Sequence, residues 1–446
     1  MLKNITLSTL MLLGVSQVFA QTKPIQFITL DPGHFHAALV QNKTYDNVES
    51  VVNVYAPAGQ DLQDHLKRIE SYNTRAKNPT NWIEKVYQGN DYLEKMIAEK
   101  KGNVLVIAGN NQKKTEYILK AAEAGINILG DKPMCIDSKG YAQLQQAFAV
   151  AKKNNVLLYD IMTERSEITT VLQKELTQIP AIFGQIEKGT PENPTIFTES
   201  VHFFYKYVSG SPLKRPTWFM DVTQQGEGIA DVMVHLVDLA QWTLFPNVIL
   251  SNKDVKFNSA TRWPTPMTLS QFSLITGAKT FPDFLKKDLK NDSTINVYAN
   301  GEINYSLKGI HTKLRALWNY SATEGGDTHY SIIRGTKANL EIRQGKEEKF
   351  IPQLYIKPNN LTENELQKAF DSLKSKYAGI NLKKHGNEWL VEIPDSYRTG
   401  HEAHFGEVME RFLDYKSKNK LPEWEVPNML VKYYTTTKAL ELAKKK

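Results

Sequence analysis

Short apolar runs rich in Val and Ile alternate with amphipathic ones through the first third of the chain. Residues 25–30, 51–55, 104–108, 126–129 and 156–159 read as strands. Residues 92–99, 114–124 (stopped by Gly125) and 140–153 read as the helices between them. Strands that are apolar throughout, separated by amphipathic helices, predict a parallel, doubly wound sheet covered on both faces. Ligands on such a sheet sit at the carboxyl ends of its strands.

From about Ile161 the pattern changes. Residues 182–186 read as a strand, 189–225 as a long irregular segment of the kind that is usually functional, and 226–242 as one helix apolar over most of its circumference. Strands then dominate at 267–274, 293–299, 302–307, 311–320, 330–335 and 338–343. The pairs Asn300-Gly301 and Lys308-Gly309 read as turns between them, which makes the sheet antiparallel. Residues 359–377, 405–418 and 426–443 read as helices. The expected fold is α/β: a doubly wound parallel sheet over 21–160, then an α+β domain over 161–446 with a large open, mainly antiparallel sheet.

On the helix over 226–242, Asp231, His235 and Asp238 stand at i, i+4 and i+7 and share one face. An ionisable trio on a buried helix needs partners or a cavity. It is either a reactive site or a histidine bonded to a neighbouring element beside two ion-paired acids. At the carboxyl ends of the predicted parallel strands lie Asn110-Asn111, Asp131-Lys132-Pro133 and Asp160. Lys132, between an acid and a proline just after a strand, suits a positioned cation; an ordinary polar turn is the alternative. In the irregular segment, His202, Tyr205, Lys206, Arg215 and Trp218 mix aromatic planes with cations, which suits sugar recognition as well as a local anchor. His401 and His404 flank Glu402 and could meet His329 around a metal. The spacing is not that of a zinc helix, so no metal is assigned, and His329 and His401 are read as binding substrate hydroxyls.

The turn Asp31-Pro32-Gly33-His34-Phe35-His36 follows the first strand where a dinucleotide-binding unit rests a pyrophosphate on a helix N-terminus. Only Gly33 falls on the glycine fingerprint, and a carboxylate at Asp31 repels a phosphate unless it turns away. The second strand ends in Ala56-Pro57, where an acid usually holds ribose hydroxyls; the nearest acid is Asp61.

Composition narrows the setting. Lys3, the apolar run 5–13 and Val18-Phe19-Ala20 before Gln21 have the layout of a cleavable secretory signal over 1–20, which places the mature chain in the periplasm or outside the cell. The run is too short to span a bilayer, and no cysteine follows the cleavage point to take a lipid. Cys135 is the single cysteine, so neither an intramolecular disulfide nor a thiolate zinc site can form. The net charge of +7 is spread over scattered lysines, without the basic stripe that nucleic acid requires.

Together these residues resemble the Gfo/Idh/MocA superfamily of sugar and cyclitol oxidoreductases, in the secreted branch with its own oxidoreductase C-terminal domain. Asp131-Lys132-Pro133 is similar to the family's Glu-Lys-Pro, and Asp231-x-x-x-His235-x-x-Asp238 matches its D-x-x-x-H-x-x-D. The family's T-P-N-x-x-H loop stands here as Gly109-Asn110-Asn111-Gln112-Lys113-Lys114. The resemblance implies a Rossmann domain followed by an open antiparallel α/β domain whose sheet face receives the substrate. It implies a catalytic Lys132, His235 as general acid/base, and Asp231 and Asp238 on substrate hydroxyls. The turn after the first strand and the strand ends give the expected cofactor set: Gly33, His34, Phe35, His36, Asn110, Asn111, Asp131, Lys132, Pro133 and Asp160. The expected activity is a periplasmic, NAD(H)-dependent oxidation or reduction of a ring hydroxyl of a sugar or glycoside. The cofactor is expected to be tightly held, with NADP open. A redox-neutral glycosidase or lyase is the alternative enzyme, and a cofactor-free carbohydrate-binding protein the alternative of another class. Open sheets of this type often pair, so a dimer or tetramer is expected.

Overall fold

The computed structural model describes residues 24–208, 211–322 and 324–445. The expected signal over 1–20 lies outside the described residues.

The apolar runs of the first third form a six-stranded sheet from β1 (Phe27–Leu30), β2 (Val51–Ala56), β3 (Ile83–Gln88), β4 (Val104–Ile107), β5 (Asn127–Asp131) and β6 (Leu158–Ile161). Its order is β3-β2-β1-β4-β5-β6, all parallel. Helices α1 (His36–Leu39), α2 (Gln60–Thr74), α3 (Tyr92–Glu99), α4 (Asn111–Glu123) and α5 (Ser138–Lys153) connect the strands. Every residue of β1 and β4 is buried, as strands covered on both faces require. Each fully buried Leu, Ile or Val there contributes roughly 1.5–3 kcal/mol. The strand β3 escapes the sequence reading because it is an exposed edge whose charges, Glu84 and Lys85, break its apolar pattern. The strand order reverses between β1 and β4, so a crevice opens at their carboxyl ends.

Next come α6 (Ile168–Thr177), α7 (Pro180–Phe183), β7 (Ile196–Tyr205), a two-residue ribbon of β8 (Tyr207–Val208) with β9 (Ser211–Pro212), α8 (Val222–Gln225), α9 (Gly228–Asp231) and α10 (Met233–Leu244). They are followed by β10 (Val255–Thr268), α11 (Leu269–Thr276), β11 (Leu289–Asn291), β12 (Thr294–Leu307), β13 (Ile310–Ser321), β14 (Thr328–Arg334), β15 (Ala338–Gln344) and β16 (Gln353–Pro358). The chain closes with α12 (Glu363–Lys376), β17 (Asn381–His385), β18 (Glu388–Glu392), α13 (His401–Lys418) and α14 (Glu425–Lys444). The second sheet has ten strands in the order β10-β12-β13-β7-β14-β15-β16-β18-β17, with β11 beside β12. It is antiparallel except where β13 runs parallel to β7.

Five local expectations are corrected. Residues 182–186 do not form a strand: Pro180 presets the first turn of α7, and Ile186 makes only an isolated bridge to Gly335. The segment 189–225 is not irregular throughout, because β7 runs through it at the middle of the sheet; polar residues at Thr198, Glu199, Ser200 and His202 mask its strand character. The helix over 226–242 is divided at Val232, although that residue keeps helical angles and the spacing of its titratable face survives. Residues 267–274 end β10 and begin α11, which opens on a capping box of Thr268 and Gln271. Asn300-Gly301 is no turn either. It lies inside β12, where the Asn300 amide donates to the Trp263 carbonyl and Thr265 Oγ1, and a Cβ on Gly301 would overlap the Ile229 side chain.

Two cores result, one around each sheet. Phe405, Met409 and Phe412 of α13 and Met429 and Tyr433 of α14 pack into the first, while Val431 and Leu440 of α14 pack into the second. The last helix is therefore wedged between the two cores.

Candidate active site

The seam between the two cores is built from the end of β5, the end of α9 and the start of α10. The chain leaves β5 at Asp131 and passes through a cis Lys132–Pro133 peptide. Lys132 Nζ lies 3.0 Å from Asp231 Oδ1, and Gln225 Nε2 donates to the other oxygen at 3.0 Å. Burial works against the Lys132 ammonium, but Asp231 and Asp131 outweigh it and raise its pKa. One turn further on, His235 is held well below its ordinary pKa by burial and by Lys132. Its Nδ1 is buried and has no hydrogen-bond partner among the described residues. The result is a fixed cation beside a neutral imidazole with a free nitrogen.

Asp131 looks the other way. Its Oδ2 is 2.9 Å from His36 Nδ1, and the fully buried Lys114 donates to its backbone carbonyl at 3.0 Å. Burial lowers the Lys114 pKa to about 8. The His36 ring packs 4.0 Å from His34, 4.5 Å from Phe405 and 5.6 Å from His401, centroid to centroid. Burial, followed by the neighbouring imidazoles and cations, pushes His34 and His36 well down and takes His401 to about 4.

The large sheet supplies a third wall. Asp327 accepts from Lys206 at 2.6 Å and lies 3.1 Å from His202 Nδ1, and the His202 ring lies over Trp318 at 5.1 Å. His329, 2.7 Å from Ser200 Oγ, is lowered to about 4 by burial and by His202. Arg215 donates to the carbonyls of Phe203 and Phe204, and burial brings its pKa down to about 10 against the pull of Asp327 and Asp231. The His401 ring, 5.6 Å from that of His36, brings the start of α13 beside the turn after β1. Tyr205, at the end of β7, stacks on Tyr320 at 6.2 Å.

Other expected site residues fall elsewhere. Asp238 does not face this centre; it is 2 % exposed and is taken up by Arg165 at 2.7 Å and Lys432 at 2.9 Å. Asp160 is also committed, to Lys432 at 2.7 Å and to the Tyr433 hydroxyl at 2.9 Å. Glu425 completes this lattice by accepting from Arg165 at 2.9 Å. Arg165, Glu425 and Lys432 are absent from the sequence reading because their partners lie in distant segments of the chain. Asn110 and Asn111 donate to Gln224 Oε1 and the Gln225 carbonyl, so they tie the two halves together.

The turn after β1 departs from a glycine cradle in detail. Asp31 adopts φ 47° and its carboxylate accepts from the Tyr117 hydroxyl at 2.7 Å. The Gly33 and His34 amides donate to the Asp31 and Ala108 carbonyls at 2.8 and 3.2 Å, so they do not point outward at a phosphate. A Cβ on Gly33 would stand 3.1 Å from Asp61 Oδ2 and 3.3 Å from the Trp218 ring. Space for a ligand is nonetheless present. A cavity of about 190 Å³ follows β2, lined by Asp31, Ala56, Gly59, Asp61 and Leu62. It adjoins one of about 320 Å³ lined by Gly33, His34, Phe35, Arg68, Arg215 and Trp218. Together they fall within the range of a cofactor site, with Arg68 in place of outward amides as a positive group.

Comparison with known proteins agrees with this architecture. Residues 31–160 match the model described as "Oxidoreductase family, NAD-binding Rossmann fold", and residues 172–444 match "Putative oxidoreductase C terminal domain". The chain is 54% identical to a protein of Parabacteroides merdae ATCC 43184 described as a "putative oxidoreductase", covering 95% of this chain and 98% of that one, with a TM-score of 0.93. At the level of fold it is similar to levoglucosan dehydrogenase in complex with NADH and levoglucosan (13% identity, 94% and 97% covered, TM-score 0.60). It is likewise similar to a 3-ketoreductase from Actinomadura kijaniata (13% identity, 94% and 98% covered, TM-score 0.57). No curated protein matches the chain. The chain belongs to the Gfo/Idh/MocA oxidoreductases, with a Rossmann domain of the NAD-binding type followed by the oxidoreductase C-terminal domain.

Proposed function

We propose that this protein is a periplasmic, NAD(H)-dependent oxidoreductase that oxidises or reduces a ring hydroxyl of a sugar or glycoside. The observation that carries the reading is the 3.0 Å pair of Lys132 with Asp231, one helical turn ahead of the unpartnered imidazole of His235. Lys132 stabilises negative charge on the reacting oxygen, since Asp231 holds its ammonium charged and in place. His235 moves the hydroxyl proton, and its depressed pKa keeps it in the accepting form at neutral pH. Asp231, His202, Lys206, Arg215, His329 and His401 supply donors and acceptors for the other hydroxyls. A nicotinamide dinucleotide, when bound, supplies the hydride acceptor or donor. The groove at Ala56 to Leu62, with Arg68 as its cation, would hold it. A wall this rich in polar groups suits a polyol better than an apolar carbonyl compound. The reading extends to a dimer or tetramer formed through the open sheet.

The test is incubation of the mature protein with NAD and a panel of glycosides, following keto-sugar and reduced dinucleotide together. Equal amounts of both products support the reading. Aglycone release without net reduction would replace it with redox-neutral glycoside cleavage. Sugar binding with no dinucleotide affinity would reduce it to a carbohydrate-binding protein.

A further inference from the structure

The pair His34 and His36 occupies the turn after β1 where a glycine fingerprint usually stands, and hydride chemistry gives neither imidazole a task. Each offers a ring nitrogen, and Asp131 a carboxylate oxygen, with these three donor atoms within 4.8 Å of one another. The set is held from outside. His34 Nδ1 accepts the His36 backbone N–H at 3.3 Å, which leaves its Nε2 spare, and Phe405 packs against the His36 ring. Asp131 Oδ2 is 2.9 Å from His36 Nδ1, whereas Oδ1 is buried without a partner among the described residues. An orphaned carboxylate oxygen in a buried residue is costly unless something binds it.

We infer that His34, His36 and Asp131 form a binding site for a divalent first-row transition-metal ion of the zinc class. Two imidazoles and one carboxylate are borderline ligands, ill suited to calcium or magnesium, which take mostly oxygen donors. Three protein ligands leave an open position, the arrangement of ions that polarise a substrate oxygen. Bonds of about 2.0–2.2 Å place tetrahedral ligands roughly 3.4 Å apart, so a small inward movement of the side chains completes the set. The nearby cations do not preclude the ion: Lys132 is paired with Asp231, Arg215 is spent on two backbone carbonyls, and Lys114 on the Asp131 carbonyl. The inference is independent of the proposed reaction, because binding is read without sugar or dinucleotide.

The test uses the whole mature chain, stripped with a chelator and titrated with Zn(II), and separately with Co(II), whose visible d–d absorption reports a low-coordinate site. We expect about one ion per chain, displacement of Co(II) by Zn(II), and at least about a 10-fold loss of affinity in His34→Ala and in Asp131→Asn. His385→Ala, at an exposed and distant histidine, should bind as the wild type does. Failure of the wild-type chain to take up a stoichiometric ion would overturn the inference even if the variants do not fold. Unchanged affinity in both ligand variants would overturn it too.

Discussion

Asp231 and Asp238 share one helical face, yet they serve different regions of the molecule. Asp231 meets a single lysine whose side chain is 15 % exposed, at the mouth of the seam. Asp238 meets Arg165 and Lys432, in a lattice closed by Glu425 and Asp160 where Lys432 is 0 % exposed. One carboxylate holds a partly exposed cation; the other neutralises cations closed off from solvent. The number of partners and the access of solvent, rather than the spacing in the motif, separate reactive from structural roles. The short turn Thr163–Ser166 joins the two regions, with Arg165 in the lattice and Glu164 near enough to Lys132 to feel its charge.

The comparison breaks most visibly at Asp238. Asp238→Ala leaves Arg165 and Lys432 undercompensated in the interior and should cost about 3–5 kcal/mol of unfolding free energy, measured by urea denaturation. Burial opposes the charge on Asp238, but Arg165 and Lys432 outweigh it and depress its pKa. Its stabilising contribution is therefore present above the unfolded value of about 3.9 and lost as pH falls through the folded one, so acid unfolding of the variant should be less steep. Lys132→Met should do the reverse. Turnover should fall by about 10²–10³, equivalent to about 2.7–4 kcal/mol in the transition state, with a smaller loss of stability than in Asp238→Ala. A loss of stability in Lys132→Met as large as that of Asp238→Ala would erase the distinction.

Glu164 gives the smallest effect. Burial, then Glu167, raises its carboxyl to about 7. A raised carboxyl favours the fold below the unfolded value of about 4.3, and that contribution disappears as pH rises through the folded value. Glu164→Gln should remove a decline in stability between about pH 4 and 7, by about 1 kcal/mol or less given that the residue is only partly buried. An unchanged pH profile of denaturation would show that Glu164 titrates normally.

Much of this was legible in the sequence because local pattern and local structure coincide. The parallel sheet follows from runs apolar on both faces, and Lys132, Asp231 and His235 follow from motifs whose residues lie in the elements that place them. What was not legible depends on partners far away in the chain. Nothing near Asp238 announces Lys432, 194 residues later. Asn300-Gly301 has the composition of a turn, but Ile229 needs the space that the missing Cβ leaves, so the strand runs straight through. The polar residues of β7 read as loop because their pairing partners in β13 and β14 lie more than a hundred positions away. His34 and His36 read as a damaged nucleotide turn until Asp131 is seen beside them.

The central claim is that Lys132 and His235 act on one sugar carbon from which hydride passes to a dinucleotide. The most direct measurement is transfer of deuterium from a ring-carbon-deuterated glycoside into NAD by the wild type, Lys132→Met and His235→Gln. The account predicts label in the nicotinamide of the wild type and transfer slowed by about 10² or more in each variant, with the dinucleotide still bound. Label appearing in water but never in the nicotinamide, or either variant transferring it at the wild-type rate, would contradict the account.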